Sequence, residues 1–188
     1  MNRTALLCLL ALTLTSTLWM VPKTAAAVDG SWQLESSGNV PADSFVGGTT
    51  RTNLSIFICR VIPSSDVKIV GRMIAPNGSS GPGCVYVKES EILTETDEYR
   101  VLEDHQAYAW LDWTGSLPDK AIKAGFGVGQ TDNEQYICQA TSPDNASAQI
   151  PGKFRDRDNT CQIVYGKGPK GKRTVHETTS DFKILVKE

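Results

Sequence analysis

The sequence predicts an all-β protein built from two copies of one repeat. Three observations predict it: short apolar segments of strand length recur, clusters of Gly, Pro, Asn and Ser separate them, and no window after residue 27 has the 3.6-residue period of a helix. Many short strands joined by Gly/Pro turns are typical of packed antiparallel sheets. We therefore expect a sandwich-like assembly of antiparallel sheets.

The N-terminus has the pattern of a secretory signal peptide. Arg3 is the positive start, residues 5–22 form an apolar stretch interrupted by hydroxyl side chains, and small residues precede a cleavage site after Ala27. The alternative is an uncleaved membrane anchor, but the stretch is short for a hydrocarbon core of about 30 Å. We expect residues 1–27 to be removed, no membrane span in the rest, and a secreted, extracellular mature protein.

The charge of the chain argues against two classes of partner. The full sequence has a net charge of −2, and loss of Arg3 and Lys23 with the signal peptide makes the remainder more acidic. A net acidic chain is not attracted to nucleic acid or to an anionic membrane surface. We expect neither as a partner.

The mature chain repeats one ordered set of motifs. Residues 57–60 (Phe-Ile-Cys-Arg) recur 79 positions later as residues 136–139 (Tyr-Ile-Cys-Gln). Other shared motifs begin at Trp32, Gly38, Gly47, Val70, Cys84 and Tyr99 in the first copy, and at Trp110, Gly115, Ala124, Pro151, Cys161 and Phe182 in the second. We predict two pseudo-symmetric repeats, residues 28–104 and 105–188, whose length differences fall in loops.

Apolar or alternating segments predict the strands within each copy. They are residues 54–61, 84–88 and 99–102 in the first copy, and 134–140, 161–165 and 182–185 in the second. Turn clusters at residues 75–83 and 166–171 lie between the predicted strands.

Four cysteines remain after the signal peptide, which predicts two disulfides in an oxidising compartment. We favour Cys59–Cys84 and Cys138–Cys161, because these pairs close two loops of similar length. The two pairings that link the repeats also respect two-fold symmetry and remain open. The chain has no CxxC motif and only two histidines, so we expect no metal site.

Three Asn-x-Ser sequons lie in turn-like contexts of the mature chain. They begin at Asn53, Asn77 and Asn145, and we expect each to be a glycosylation site of a secreted glycoprotein.

The ordered motif set resembles the DM9 repeat, which is found in tandem pairs in insect, mollusc and fluke proteins. The resemblance covers nearly all of the mature chain. It implies an all-β fold with two repeats about a pseudo-two-fold axis. It also implies a mannose-type lectin that recognises microbial glycans in innate immunity or in a fluid such as saliva, without a cofactor, and that can form a homodimer.

The resemblance also implies site residues. In the lectins of this family, an Asp shortly after the Gly-Gly turn and the Lys of Pro-Gly-Lys hold the sugar, because a carboxylate and an ammonium can both bind neighbouring hydroxyls. These positions fall on Thr50 and Arg72 in the first repeat. In the second repeat the Lys position is Lys153, and the Asp position falls within residues 127–132 of a loop two residues longer, where Asp132 is the candidate from a shifted position. Thr50 carries no charge and Arg is not equivalent to Lys. We therefore expect the second repeat to be the better site.

We expect no catalysis, because no nucleophile–base motif is present and two histidines leave little for general acid–base chemistry. Trp113 is a candidate for stacking on a sugar, since aromatic faces pack on sugar rings. The alternative function is a non-catalytic structural or protein-interaction module that has lost sugar binding. The missing Asp of the first repeat favours that alternative.

Overall fold

The computed structural model describes residues 28–64, 67–76, 80–126, 134–166 and 173–188. The first half contains β1 (Val28–Asp29), β2 (Trp32–Glu35), β3 (Val46–Thr49), β4 (Ser55–Ser64), β5 (Val67–Ile74), β6 (Cys84–Lys88), β7 (Glu91–Glu95) and β8 (Tyr99–Leu102). The second contains β9 (Tyr108–Asp112), β10 (Ile122–Phe126), β11 (Glu134–Ser142), β12 (Asn145–Arg155), β13 (Thr160–Gly166), β14 (Arg173–Thr178) and β15 (Phe182–Lys187). The prediction of an all-β protein is confirmed.

Helix is nearly absent from the residues that the structure describes. Within the described ranges, the one helical element is the 3₁₀ turn Asp156–Asp158, and none of their helices is long and apolar enough to cross a membrane. The predicted signal peptide, the Asn77 sequon and Asp132 lie outside the described residues.

Both halves have the same pattern of strand pairing. In the first half, β4 pairs with β3, β5 and β8, β6 joins β5 to β7, and β2 pairs with β8. In the second half, β11 pairs with β10, β12 and β15, β13 joins β12 to β14, and β9 pairs with β15. Each strand from β3 to β8 therefore has a counterpart seven strands later.

The two halves share one continuous sheet. β3 pairs with β12 through Thr49 and Gln149, and β5 pairs with β10 through Lys68 and Phe126. Strands β3, β4, β5, β10, β11 and β12 thus form a closed ring, three from each half. The physical reason is that a free sheet edge has unpaired backbone groups, and each half satisfies the edge of the other.

Two glycines permit this edge-to-edge pairing. A Cβ on Gly48 would lie 2.1 Å from the carbonyl oxygen of Gln149, and a Cβ on Gly125 would lie 2.0 Å from that of Lys68. Both distances are far below van der Waals contact, so a larger residue would push the strands apart. The small-Gly motif of each repeat therefore serves the contact between the repeats.

Apolar residues form a core in each half and a third between them. On β4, Phe57, Cys59 and Val61 belong to the core of the first half, while Ile58 joins a central cluster with Ile137 of β11. Strands β4 and β11 are consequently buried on both faces, as a continuous apolar run predicts. The central cluster packs the halves together.

One disulfide lies in the core of each half. Cys59–Cys84 and Cys138–Cys161 are the pairings within repeats that we favoured from the sequence. All four cysteines are fully buried, and each bridge joins the two strands that flank β5 or β12. Two buried disulfides are compatible with a secreted protein.

Candidate functional site

Arg72 and Lys153 reach across from one repeat to the other in the same way. Arg72 Nε donates a hydrogen bond to the carbonyl oxygen of Val164 at 2.6 Å. Lys153 Nζ donates to the carbonyl oxygen of Val87 at 2.9 Å. Val87 and Val164 are both the fourth residue of the Cys motif, so the two contacts are reciprocal.

A second reciprocal pair lies on β4 and β11. Arg60 Nη1 contacts the carbonyl oxygen of Ala124 at 3.5 Å, and Gln139 Nε2 donates to that of Gly47 at 2.6 Å. Gly47 and Ala124 are equivalent residues of the small-Gly motif. Polar side chains of each half thus contact the backbone of the other half at equivalent positions.

Arg72 and Lys153 line a single cleft between the repeats. Its free volume is about 10 Å³, and Gln162 and Val85 also line it. A space of this size holds about one water molecule. It can accept one hydroxyl group but not a sugar ring.

Burial disfavours the charged form of both side chains and so lowers their pKa values. It lowers the pKa of Lys153 to about 8, with a smaller contribution from the positive charge of Arg155, and it lowers the pKa of Arg72 to about 10, with help from Arg173. Among the residues described, no carboxylate lies within ion-pair distance of Arg72 or Lys153. The cleft therefore favours ligands that accept hydrogen bonds.

A row of polar side chains leads from the protein surface to Lys153. Lys153 on β12 lies opposite Gln162 on β13, and Gln162 lies opposite Glu177 on β14. Gln162 Nε2 and Arg155 Nη2 both donate to Glu177 Oε1. Gln162 Oε1 is buried and has no hydrogen-bond partner within the described part of the chain. The Glu177 side chain is 45% exposed, whereas Lys153 is 9% exposed.

The first repeat has a different row at the equivalent place. Arg72 lies opposite Val85, and Val85 lies opposite Thr94. Val85 belongs to a small apolar cluster with Val87 and Val164. The acceptor Gln162 therefore has no counterpart beside Arg72, while at the outer position Thr94 Oγ1 accepts from Arg173 Nη1 at 2.9 Å.

The predicted site residues are only partly brought together. Arg72 and Lys153, predicted as members of two separate sites, line the same cleft. Thr50 lies in the turn between β3 and β4, where its hydroxyl accepts from the amides of Thr52 and Leu54 at 3.3 and 3.0 Å. Asp132, the remaining predicted residue, is not among the described ones.

Gln162 and Glu177 were not predicted from the sequence. Their neighbourhood with Lys153 arises from pairing between β12, β13 and β14, and no local motif marks it. The one available signal was the alternation of side chains along strands. It places Gln162 and Glu177 on the same face as Lys153 only after the register between the strands is known.

Trp113, the candidate for stacking on a sugar, packs against aromatic residues of the second half. Its ring lies 4.9 Å from that of Phe154 and stacks on Phe182 at 5.2 Å, so it packs against the core of the second half.

Asn53 lies in the loop between β3 and β4, and Asn145 is the first residue of β12. Asn53 is exposed and has a φ of 59°, and the Asn145 Oδ1 accepts from the amide and hydroxyl of Ser147 at 2.9 and 2.7 Å. Because Asn53 follows Thr50 by three residues, a glycan there would cover the turn that contains Thr50.

Comparison with known proteins informs the fold alone. No protein-family model matches the chain, and no curated protein matches it. The crystal structure of the nematode sperm cell motility protein MFP2B is similar, with a TM-score of 0.58 and 12% sequence identity over 89% of this chain and 48% of that chain. The chain therefore spans about half the length of this structural neighbour.

Proposed function

We propose that this chain is a secreted, non-catalytic carbohydrate-binding protein, and that its binding site is the second-repeat side of the cleft. The observation that supports this most directly is the buried acceptor Gln162 Oε1, which lacks a partner within the described ranges and lies opposite Lys153. A hydroxyl group is both donor and acceptor. One sugar hydroxyl can therefore donate to Gln162 and accept from Lys153.

The size of the cleft limits how a sugar binds. Room for about one water admits a single hydroxyl, so the sugar ring rests outside the cleft. Glu177, at the exposed end of the row, is then placed to accept from a neighbouring hydroxyl. This arrangement suits a sugar with adjacent hydroxyls, such as mannose, and the resemblance to DM9 repeats supports a microbial surface glycan as the ligand.

A glycan array followed by calorimetric titration with the best sugar tests the proposal. We expect Lys153→Ala to abolish binding, and Gln162→Val, which introduces the residue found at position 85 of the first repeat, to weaken it about tenfold. Lys183→Ala, on β15 and outside the cleft lining, is the matched control. Absence of binding to any glycan contradicts the proposed function, and unchanged binding by Lys153→Ala contradicts the site.

The second candidate is a structural or protein-interaction module. It is supported by the reciprocal contacts of Arg72 and Lys153, which use both cations to join the repeats. The exposed Leu34 and Leu111, on strands β2 and β9, would suit a protein partner. Under this alternative the wild type binds no glycan, and Lys153→Ala only lowers the free energy of unfolding.

A further inference from the structure

Three metal-binding side chains meet at the junction of the two repeats. His105 Nε2 lies 3.0 Å from Asp43 Oδ2 and 3.6 Å from Glu103 Oε1, and one ligand atom from each residue lies within 4.8 Å of the others. None of the three lines the cleft. We propose that Asp43, Glu103 and His105 form a binding site for a zinc-like divalent cation.

The separations fit zinc coordination. Zinc–nitrogen and zinc–oxygen bonds of about 2.0–2.2 Å place the ligand atoms of a tetrahedral site about 3.3 Å apart. The two recorded distances, 3.0 and 3.6 Å, lie on either side of this value. Small side-chain rotations are enough to enclose an ion, and three protein ligands leave the fourth position for water.

The ligand types select the metal. An imidazole nitrogen with carboxylate oxygens suits zinc and similar transition metals, whereas calcium takes six or more oxygen ligands. Two carboxylates and one imidazole carry a net charge of −1 or −2, whichever protonation state His105 has. A divalent cation neutralises that charge.

The backbone holds the ligands in place. The Asp104 amide donates to the Asp43 carbonyl at 2.7 Å, and the Glu103 amide donates to the Ser31 carbonyl at 3.1 Å. The Ser31 hydroxyl donates to Glu103 Oε2 and leaves Oε1 facing His105. The Glu103 side chain is 17% exposed, while those of Asp43 and His105 are about half exposed, which gives an ion a route from solvent.

The second repeat has the same junction without these ligands. Ala121 forms an isolated β-bridge with Val186, as Ser44 does with Glu103. The Lys187 amide donates to the Lys120 carbonyl at 3.1 Å, as the Asp104 amide does to the Asp43 carbonyl.

The residues equivalent to Asp43, Glu103 and His105 there are Lys120, Val186 and Glu188. The fold therefore closes this junction without a metal-binding triad. The convergence of three ligands in the first repeat is a separate feature, which the backbone does not require.

This site departs from our expectation from the sequence, which was that no metal binds. That expectation rested on the absence of closely spaced Cys and His. Glu103 and His105 are sequence neighbours after β8, and only the fold brings Asp43, in the loop before β3, to them.

Zinc titration of the purified, chelator-treated protein tests the inference. By calorimetry and by competition with a zinc-binding dye, we expect one bound ion per chain, and at least a tenfold loss of affinity for His105→Gln and for Asp43→Asn. His176→Gln, which removes the other histidine, is the control and should bind zinc as the wild type does. Zinc should also raise the Tm of the wild type more than that of His105→Gln.

Two outcomes would overturn it. One is a wild-type protein that binds no zinc, and the other is undiminished binding in both His105→Gln and Asp43→Asn. Circular dichroism checks that each variant is folded, and Asp43→Asn, at a half-exposed position, keeps the test available if His105→Gln does not fold.

Discussion

The two repeats have the same backbone plan and different polar chemistry. Each has the same strand pairings, one buried disulfide and the same pair of contacts to the other repeat. At the cleft, however, the second repeat has Lys153, Gln162 and Glu177 in a row. The first repeat has Arg72, Val85 and Thr94. At the junction the difference is reversed, because the first repeat has the metal-binding triad.

This difference teaches which positions a duplicated fold must keep. Strand pairing and core packing are collective, so one changed residue disturbs many neighbours. A polar side chain at a cleft or a loop has few neighbours, and its replacement costs the fold little. We therefore expect stability to depend on both repeats alike, and ligand binding to depend on one repeat at each site.

Removing either disulfide is the largest perturbation we expect. Cys59→Ala/Cys84→Ala and Cys138→Ala/Cys161→Ala should each lower the free energy of unfolding by about 3 kcal/mol. The losses should be alike because the bridged cysteines are 25 and 23 residues apart. Urea denaturation of both double variants measures them. A loss of stability in only one of the two double variants would contradict the expectation that both repeats contribute alike.

Replacing the glycines between the repeats should have the next largest effect. Gly48→Ala and Gly125→Ala each place a methyl group about 2 Å from a backbone carbonyl oxygen, which forces the repeats apart. We expect each to cost about 1–3 kcal/mol in the free energy of unfolding. Thr49→Ala, next to Gly48 but with room for its Cβ, is the control. Wild-type stability in both glycine variants would show that the edge pairing contributes little.

The pH dependence of stability should distinguish Lys153 from Arg72. The pKa of Lys153 falls from 10.5 in the unfolded chain to about 8 in the folded protein, so the unfolded state binds more protons between these values. The free energy of unfolding should therefore rise with pH from 8 to 10.5, by up to about 3 kcal/mol.

Comparison of three proteins isolates this effect. Lys153→Met should lose the rise measured by denaturation between pH 8 and 10, because its side chain does not titrate. Arg72→Met should keep the rise, since the pKa of Arg72 falls only to about 10. An equal slope in the wild type and Lys153→Met would contradict the buried position of the ammonium.

The smallest effect should come from Arg60→Gln, which gives the first repeat the residue that the second repeat has at the equivalent position, Gln139. Arg60 has a long contact to Ala124 and a buried Nε without a partner in the described ranges, whereas Gln139 donates to Gly47 at 2.6 Å. Arg60→Gln loses the contact of its guanidinium with the Trp32 ring but removes a buried charge. We expect a change within about 1 kcal/mol. A loss as large as that of a disulfide would show that the guanidinium is essential.

The sequence predicted much of the scaffold because its signals are local or repeated. Segments such as β4 and β11 are apolar throughout, and their recurrence after 79 residues established the duplication. The even cysteine count predicted two disulfides, and the similar lengths of the loops that they close favoured the pairings within repeats. The ring of strands was missed, because the pairings of β3 with β12 and of β5 with β10 involve a single residue pair on each strand.

The sequence by itself determined the all-β class and the duplicated motif order, which follow from periodicity and spacing along the chain. The resemblance that those motifs support pointed to Arg72 and Lys153, and both line the cleft. Only the tertiary structure decided that both cations lie in one cleft, that Gln162 and Glu177 continue the row from Lys153, and that Asp43 meets His105. The physical reason is register: strand pairing brings distant residues together, and a shift of one position would turn each of these side chains to the opposite face.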